Sequence, residues 1–385
     1  MISRIPHSVP VAESANHERL HGYRPELDAV RFLAFFLVFL FHAVPFPAQS
    51  TNLNSWHLGI ALVQLCANGL CLFFTLSAYL ITDLLLTERH NNAAISVRKF
   101  YIRRVLRIWP LYFLGIAIGM LIATLIHRTS DVTGLGWYLI FAGNIYCIFF
   151  GWLANPMSLL WSISIEEQFY LLWPWAIRLL SRRGLAMCAL VFIAGTNITL
   201  FILAQHHAVD TEVWANTFVQ FEMFATGILL ALAKKRFAER RAGAGYALVL
   251  AGPILWLIAC VELDSKQPAG GFTAIGGLAL MICFALIALG CASILQGFCI
   301  LGPGRMPRWA VYLGKISFGL YVYHVLAIEL ARTLFDPARG LPYLAASGGL
   351  AFPLTVAVAM ISYQYIESPF LRLKRRFEIV HSRPI

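Results

Sequence analysis

Charge is scarce in this 385-residue chain. Asp, Glu, Lys and Arg together make up 13% of it, about half of the ~25% usual for a soluble globular protein. That shortage excludes a disordered chain and a soluble multidomain enzyme. The eight cysteines form no CxxC pair, and no histidine joins them at metal-ligand spacing, which removes a disulfide scaffold and a metal site. They read instead as small buried hydrophobes. Residues 1–22 hold no apolar run, so they are expected to form a cytoplasmic tail and not a cleaved signal peptide. No internal repeat is visible, inverted or direct.

Apolar residues are abundant: 59% of the chain is hydrophobic and 14% aromatic, with a mean hydropathy of +0.71. At about 20 apolar residues per membrane-spanning helix, ten or more crossings fit. The lipid bilayer is therefore the first expected partner. The net charge of +11 does not point to nucleic acid, because the basic residues sit in short clusters between apolar stretches. They mark cytoplasmic loops, the positive-inside pattern.

Apolar stretches fall near 31–45, 57–86, 108–127, 134–151, 167–180, 184–204, 217–233, 243–261, 271–297, 311–333 and 343–361. Eleven full crossings would put the Arg178/Arg182/Arg183 cluster outside and invert every later one. Reading 134–151 as a re-entrant or interfacial segment repairs the parity. The inner loops 88–107, 178–183, 234–241, 302–315 and 372–376 then hold 21 Lys and Arg, against Arg128, Lys266 and Arg339 outside. The expectation is an all-α polytopic membrane protein with about ten transmembrane helices and both termini cytoplasmic. A tail at 1–22, one transmembrane domain at 23–366 and a basic tail at 367–385 complete it. Irregular backbone at membrane depth needs a cover of protein or a watered cavity, so 134–151 also implies a cavity.

Ionisable side chains within apolar spans are expensive and point to function. In the first helix Arg31 and His42 are eleven residues apart, about 20° from eclipsed and ~16 Å apart along the axis. His42 is thereby placed in the outer half of the membrane. Asp28, ~21 Å from His42 along the axis, pairs better with Arg31. The run Trp161-Ser162-Ile163-Ser164-Ile165-Glu166-Glu167-Gln168-Phe169-Tyr170 carries two adjacent carboxylates. It enters from the outer side, at a depth similar to His42. Adjacent helical residues point ~100° apart, so one carboxylate faces a given cavity; Glu167 is favoured for proximity to His42 and Glu166 for packing. Arg104 and Arg107 share a helical face at the cytoplasmic surface, where guanidinium forks suit phosphates. Ser77 lies in the inner half of the second span, and Ser317, Tyr321, Tyr323 and His324 put polar groups in mid-span. These suit either a packed network or substrate contacts. Gly115 and Gly119 form a GxxxG of the packing kind.

In order and spacing these motifs resemble the acyltransferase-3 family of integral-membrane acyltransferases. The resemblance runs from Arg24-Pro25-Glu26-Leu27-Asp28-Ala29-Val30-Arg31 through Arg31-x10-His42, Phe73-Phe74-x-Leu76-Ser77 and Arg104-x-x-Arg107. It continues with Trp161-Ser162 and Glu166-Glu167-Gln168-Phe169-Tyr170, then Leu313-Gly314-Lys315-Ile316-Ser317 with Tyr321 and His324, and ends at Glu367-Ser368-Pro369. Ala78-Tyr79 stands where the family usually has Gly-Phe.

The resemblance implies transfer of an acyl group, usually acetyl, from cytoplasmic acyl-CoA to a hydroxyl of a cell-surface or exported glycan, in a bacterial inner membrane. It implies His42 as catalytic residue with Arg31 as its motif partner, and Arg104, Arg107 and Ser77 toward acetyl-CoA. Glu166 or Glu167 would orient the imidazole. Trp161, Tyr170, Tyr323 and His324 are candidates for substrate contact. An acyl-His42 intermediate rivals direct transfer. The competing readings are a transporter or flippase for a lipid-linked sugar, whose intramembrane His, Arg and Glu would look alike, and an acyltransferase acting on a small hydroxylated metabolite. No metal is expected.

Overall fold

The computed structural model describes residues 23–44, 57–92, 94–127, 129–234, 241–265, 276–335 and 341–379, and every regular element among them is helical. The expected tail 1–22, the end of the basic tail at 380–385, the inner-loop residues Lys235, Arg236 and Arg240, and the outer-loop residues Arg128, Lys266 and Arg339 lie outside the described residues.

The first helix, α1 (Pro25–Ala43), starts on a proline and carries Glu26 and Asp28 in its first turn. Both features suit a helix N-terminus, since proline needs no N–H partner there and carboxylates oppose the positive dipole end. Then come α2 (His57–Asn92) and α3 (Val97–Leu125), the latter capped by the Ser96 hydroxyl on Lys99 N. The expected non-crossing stretch is two short helices, α4 (Thr129–Tyr138) and α5 (Gly143–Phe150). At ten and eight residues they measure ~15 and ~12 Å, too short for a ~30 Å hydrocarbon layer. Phe141 turns the chain between them with φ 56°, and its ring stacks on Tyr112 at 4.6 Å.

A 3-10 turn at Pro156–Leu160 leads into α6 (Trp161–Leu179), followed by α7 (Arg182–Gln205), α8 (Asp210–Trp214), α9 (Thr217–Ala233), α10 (Ala242–Ser265) and α11 (Gly277–Leu301). Two helices, α12 (Arg308–Lys315) and α13 (Ser317–Thr333), meet at a 78° bend. The chain continues through α14 (Leu341–Ser362), a π turn at Tyr363–Glu367 and α15 (Ser368–Lys374).

Among the described residues six helices are long and apolar enough to cross a membrane, or seven if the bent pair α12–α13 counts as one span. Two long helices fall outside that set because each carries three charged side chains: Glu26, Asp28 and Arg31 in α1, and Glu166, Glu167 and Arg178 in α6. Those two helices build the candidate site. Large apolar side chains such as Leu171, Leu190, Leu250, Ile254, Leu278 and Leu289 are exposed, as lipid-facing positions of a membrane protein must be. Close crossings rely on glycine: a Cβ on Gly314 would overlap the Asp28 carbonyl, so α12 lies directly against α1. The Gly115/Gly119 pair faces the Pro156–Leu160 turn, where a Cβ on Gly119 would meet Met157 at 2.9 Å.

Candidate active site

The polar groups of the site fall into two clusters. The first is a cavity of about 440 Å³ bounded by α1, α2, α3, α6, α13 and α15. Its lining is rich in cations, with seven Arg and Lys against four carboxylates. Three of the expected inner-loop clusters converge there with the start of α1: Arg103, Arg104 and Arg107 from α3, Lys234 after α9, and Lys374 of α15.

Ion pairs hold most of these cations in place. Arg31 pairs with Asp28 at 2.5 Å, Arg24 with Glu26 at 2.7 Å, Arg103 with Glu88 at 3.0 Å and Lys234 with Asp83 at 2.7 Å. Arg104 differs. Its guanidinium lies over the rings of Phe100 and Tyr170, each at 5.4 Å, and its buried Nε has no hydrogen-bond partner among the described residues. A buried N–H left unmatched is costly, so Arg104 is set to receive an acceptor group from a ligand. Tyr170 donates to Glu166 Oε2 at 3.0 Å, which leaves Ser77, 2.5 Å away, as the donor to the Tyr170 hydroxyl.

The second cluster is a pair of imidazoles near the far end of α1. His324 Nε2 lies 3.3 Å from His42 Nδ1. His324 Nδ1 is 2.6 Å from Tyr321 O, and His42 Nδ1 is 2.8 Å from Val38 O. A carbonyl oxygen only accepts, so both Nδ1 atoms carry the proton in the neutral rings and His324 Nε2 is an acceptor. His42 Nε2 is then the ring nitrogen with a lone pair to offer. Phe35, Phe39 and Phe41 surround the two rings. Arg332 Nη2 donates to His42 O at 2.9 Å, tying the end of α1 to α13.

Tyr321 joins the clusters. It lines the cavity, its hydroxyl shares a 2.6 Å hydrogen bond with Ser162, and its ring lies 5.6 Å from that of His324. Going along α13, Ser317 and Tyr321 face the cavity, and His324 follows less than one turn later.

Arg31, Ser77, Arg104, Arg107, Glu166 and Tyr170 of the expected site thus line one cavity, whereas His42 and His324 pair beyond it. Several expectations change. Glu166 lines the cavity and Glu167 does not, because the stacking of Phe169 on Phe224 at 4.3 Å fixes the rotation of α6. Among the described residues neither carboxylate hydrogen-bonds the His42 ring, whose polar partners are Val38 O and His324. Tyr170 holds Glu166 elsewhere. Trp161 is buried against Trp152 at 5.4 Å, and Tyr323 donates to Ser362 across α13 and α14, so neither lines the cavity. The expected basic tail folds back: Arg103 Nη1 donates to Phe377 O at 3.0 Å, and Lys374 and Glu378 line the cavity. Lys374 and Lys234 were legible only as loop charge, and Arg24 only as part of a motif.

A family profile described as an acyltransferase domain, Acyl_transf_3, matches residues 24–363. The chain belongs to the acyltransferase-3 family. YrhL of Bacillus subtilis (strain 168), whose name proposes a peptidoglycan O-acetyltransferase, is 27% identical over 374 residues, covering 91% of this chain and 55% of YrhL. Nodulation protein 10 of Rhizobium leguminosarum bv. viciae is 25% identical over 387 residues, 93% of this chain and 96% of that protein. Peptidoglycan O-acetyltransferase OatA of Listeria monocytogenes is 34% identical over 164 residues, 40% of this chain and 24% of OatA. The chain therefore spans about half the length of YrhL and nearly all that of Nodulation protein 10. No solved structure matches it. The matched region of this acyltransferase-3 member, residues 24–363, contains the imidazole pair and most of the cavity lining, whereas Lys374 and Glu378 lie beyond it.

Proposed function

We propose that the chain is a multi-pass membrane O-acyltransferase that moves an acetyl group from cytoplasmic acetyl-CoA to a hydroxyl of a cell-surface or exported glycan. Ten crossings with both termini in the cytoplasm, in a bacterial inner membrane, are the topology we assign to it. The observation that carries the reading is the pairing of a cationic cavity with a separate imidazole, His42, whose Nδ1 faces the Val38 carbonyl. The cavity is built from the basic clusters expected inside, and the imidazole stands ~16 Å farther along α1.

Arg104 and Arg107 hold phosphates of the donor, with Arg104 Nε supplying a donor that has no other partner among the described residues. The pantetheine arm runs past Ser77, Glu166 and Tyr321 and brings the thioester toward His42. An alcohol is a weak nucleophile at neutral pH, so a positioned base is needed. His42 Nε2 takes the hydroxyl proton as the oxygen bonds to the thioester carbonyl carbon. The C–S bond then breaks, and the departing sulfur takes the proton back from the imidazolium. Val38 O sets the His42 tautomer, and His324, itself bonded to Tyr321 O, holds the orientation of its ring. The acceptor comes from the outer side, beyond the end of α1. Two relatives whose names refer to peptidoglycan O-acetylation support a glycan as its class.

The test is consumption of radiolabelled acetyl-CoA by the purified chain in detergent with glycan fragments supplied. Turnover by the parent and its loss in Arg104→Ala with folding intact is the expected result. A folded parent that translocates lipid-linked sugar in vesicles and consumes no acetyl-CoA would make the transporter reading the correct one.

A further inference from the structure

The C-terminal segment is the part of the cavity wall that the motifs leave unexplained. Residues 368–374 form α15, which packs on α3, and the chain continues through Arg375–Phe377 to Glu378. Its end is anchored by a relay of buried groups: Glu88 pairs with Arg103 at 3.0 Å, and Arg103 donates to Phe377 O at 3.0 Å. That anchor aims Lys374 into the cavity beside Arg104 and Arg107, all three lining it.

A buried ammonium costs several kcal/mol unless it is paired, and Lys374 has a partner. Its Nζ lies 3.2 Å from Glu378 Oε1. This pair differs from the others around the cavity. Those of Arg24, Arg31, Arg103 and Lys234 are held at 2.5 to 3.0 Å, and each carboxylate belongs to α1 or α2. Glu378 lies instead just past the last helical turn, on extended backbone, and its pair is the longest of the five. A carboxylate outside a helix can swing aside without breaking a helical hydrogen bond. A phosphate arriving there would meet three cations on one wall and take the place of one carboxylate as their counter-ion.

We propose that Lys374 is a phosphate-binding residue of the donor site and that Glu378 occupies this position as a built-in anion until the ligand displaces it. The inference rests on the reading of the cavity as an acyl-CoA site and adds to it a ligand-binding C-terminal segment that opens and closes the ion pair. The two side chains then act with opposite sign. Removing the cation weakens binding, while neutralising the competing anion strengthens it.

The experiment is equilibrium binding of coenzyme A, free of acyl group and acceptor, to the full chain in neutral detergent. Parent, Lys374→Ala, Lys374→Arg, Glu378→Gln and Arg104→Ala are compared at two salt concentrations. Loss of one charge-assisted contact predicts Kd raised about tenfold in Lys374→Ala. Recovery to within about threefold is expected in Lys374→Arg, with Kd lowered several-fold in Glu378→Gln. Equal affinity of the parent and Lys374→Ala, or weakening by Glu378→Gln as large as that by Lys374→Ala, would overturn the proposal and make the pair a structural clasp. Failure of the folded parent to bind coenzyme A at all would instead sink the donor-site reading. Unchanged coenzyme A affinity in Lys374→Ala together with weakened binding of phosphatidylglycerol would assign the phosphate to a lipid headgroup and contradict the proposal.

Discussion

His324 Nε2 faces His42 Nδ1 at 3.3 Å, and two backbone carbonyls, Tyr321 O and Val38 O, decide which nitrogen of each ring carries the proton. The arrangement leaves His42 Nε2 as the basic atom without any help from a carboxylate. His324 is a positioning residue in this account, since it acts through His42. Replacing it should leave donor binding alone and lower turnover. His324→Ala is expected to reduce kcat roughly 10²-fold, within the range of an acid–base contribution, with the KM for acetyl-CoA unchanged. His324→Gln, whose amide oxygen can accept from His42 Nδ1, should recover part of the loss. Equal kcat in parent and His324→Ala would remove the pair from the mechanism.

Arg103 and Arg104 are neighbours with different work. Arg103 is buried, paired with Glu88 and bonded to Phe377 O. Breaking a buried ion pair from one side costs about 3–5 kcal/mol. Arg103→Ala is therefore expected to lower thermal stability sharply, whereas Arg104→Ala should keep the parent Tm and raise the KM for acetyl-CoA. Denaturation followed in detergent, with and without acetyl-CoA, checks both.

Tyr170 offers Arg104 a ring face and Glu166 a hydroxyl. A cation–π contact is worth about 1 kcal/mol at a partly exposed site, or roughly fivefold in affinity. Tyr170→Phe keeps the face and Tyr170→Ala loses it. Donor Kd should rise by about that factor from the first variant to the second.

The topology makes its own prediction. Arg183 is the second residue of α7 and Gln205 ends it, and both are exposed. In inverted membrane vesicles Arg183→Cys should react with an impermeant maleimide and Gln205→Cys should not, each measured against the parent with its eight native cysteines. The opposite pattern would invert the assigned orientation.

What could be read from the sequence depended on distance along the chain. The Asp28–Arg31 pair is three residues apart, and helix geometry alone predicts it; the structure forms that ion pair. The separation of Arg31 from His42 follows from the rise of one helix. The partner of His42 is 282 residues away, and no pattern within α1 or α13 announces their contact. The choice between Glu166 and Glu167 turns on rotation of α6 about its axis. That rotation is set by Phe169 on Phe224 and by Trp173 donating to Thr82, contacts between helices that periodicity does not reveal. Lys374 was read as loop charge because a basic residue after a last span needs no further reason; only the anchor of Phe377 on Arg103 turns it inward. The short helices α4 and α5 fall in and beside the stretch that charge parity marks as non-crossing, and each is shorter than a hydrocarbon layer is thick.

The account stands most directly on His42 Nε2 as the base. The measurement is single-turnover transfer from labelled acetyl-CoA, with donor Kd determined in parallel, for parent and His42→Ala in detergent with a glycan acceptor present. The account predicts an unchanged Kd and a transfer rate lowered by 10²-fold or more. A folded His42→Ala protein that transfers acetyl at the parent rate would contradict it.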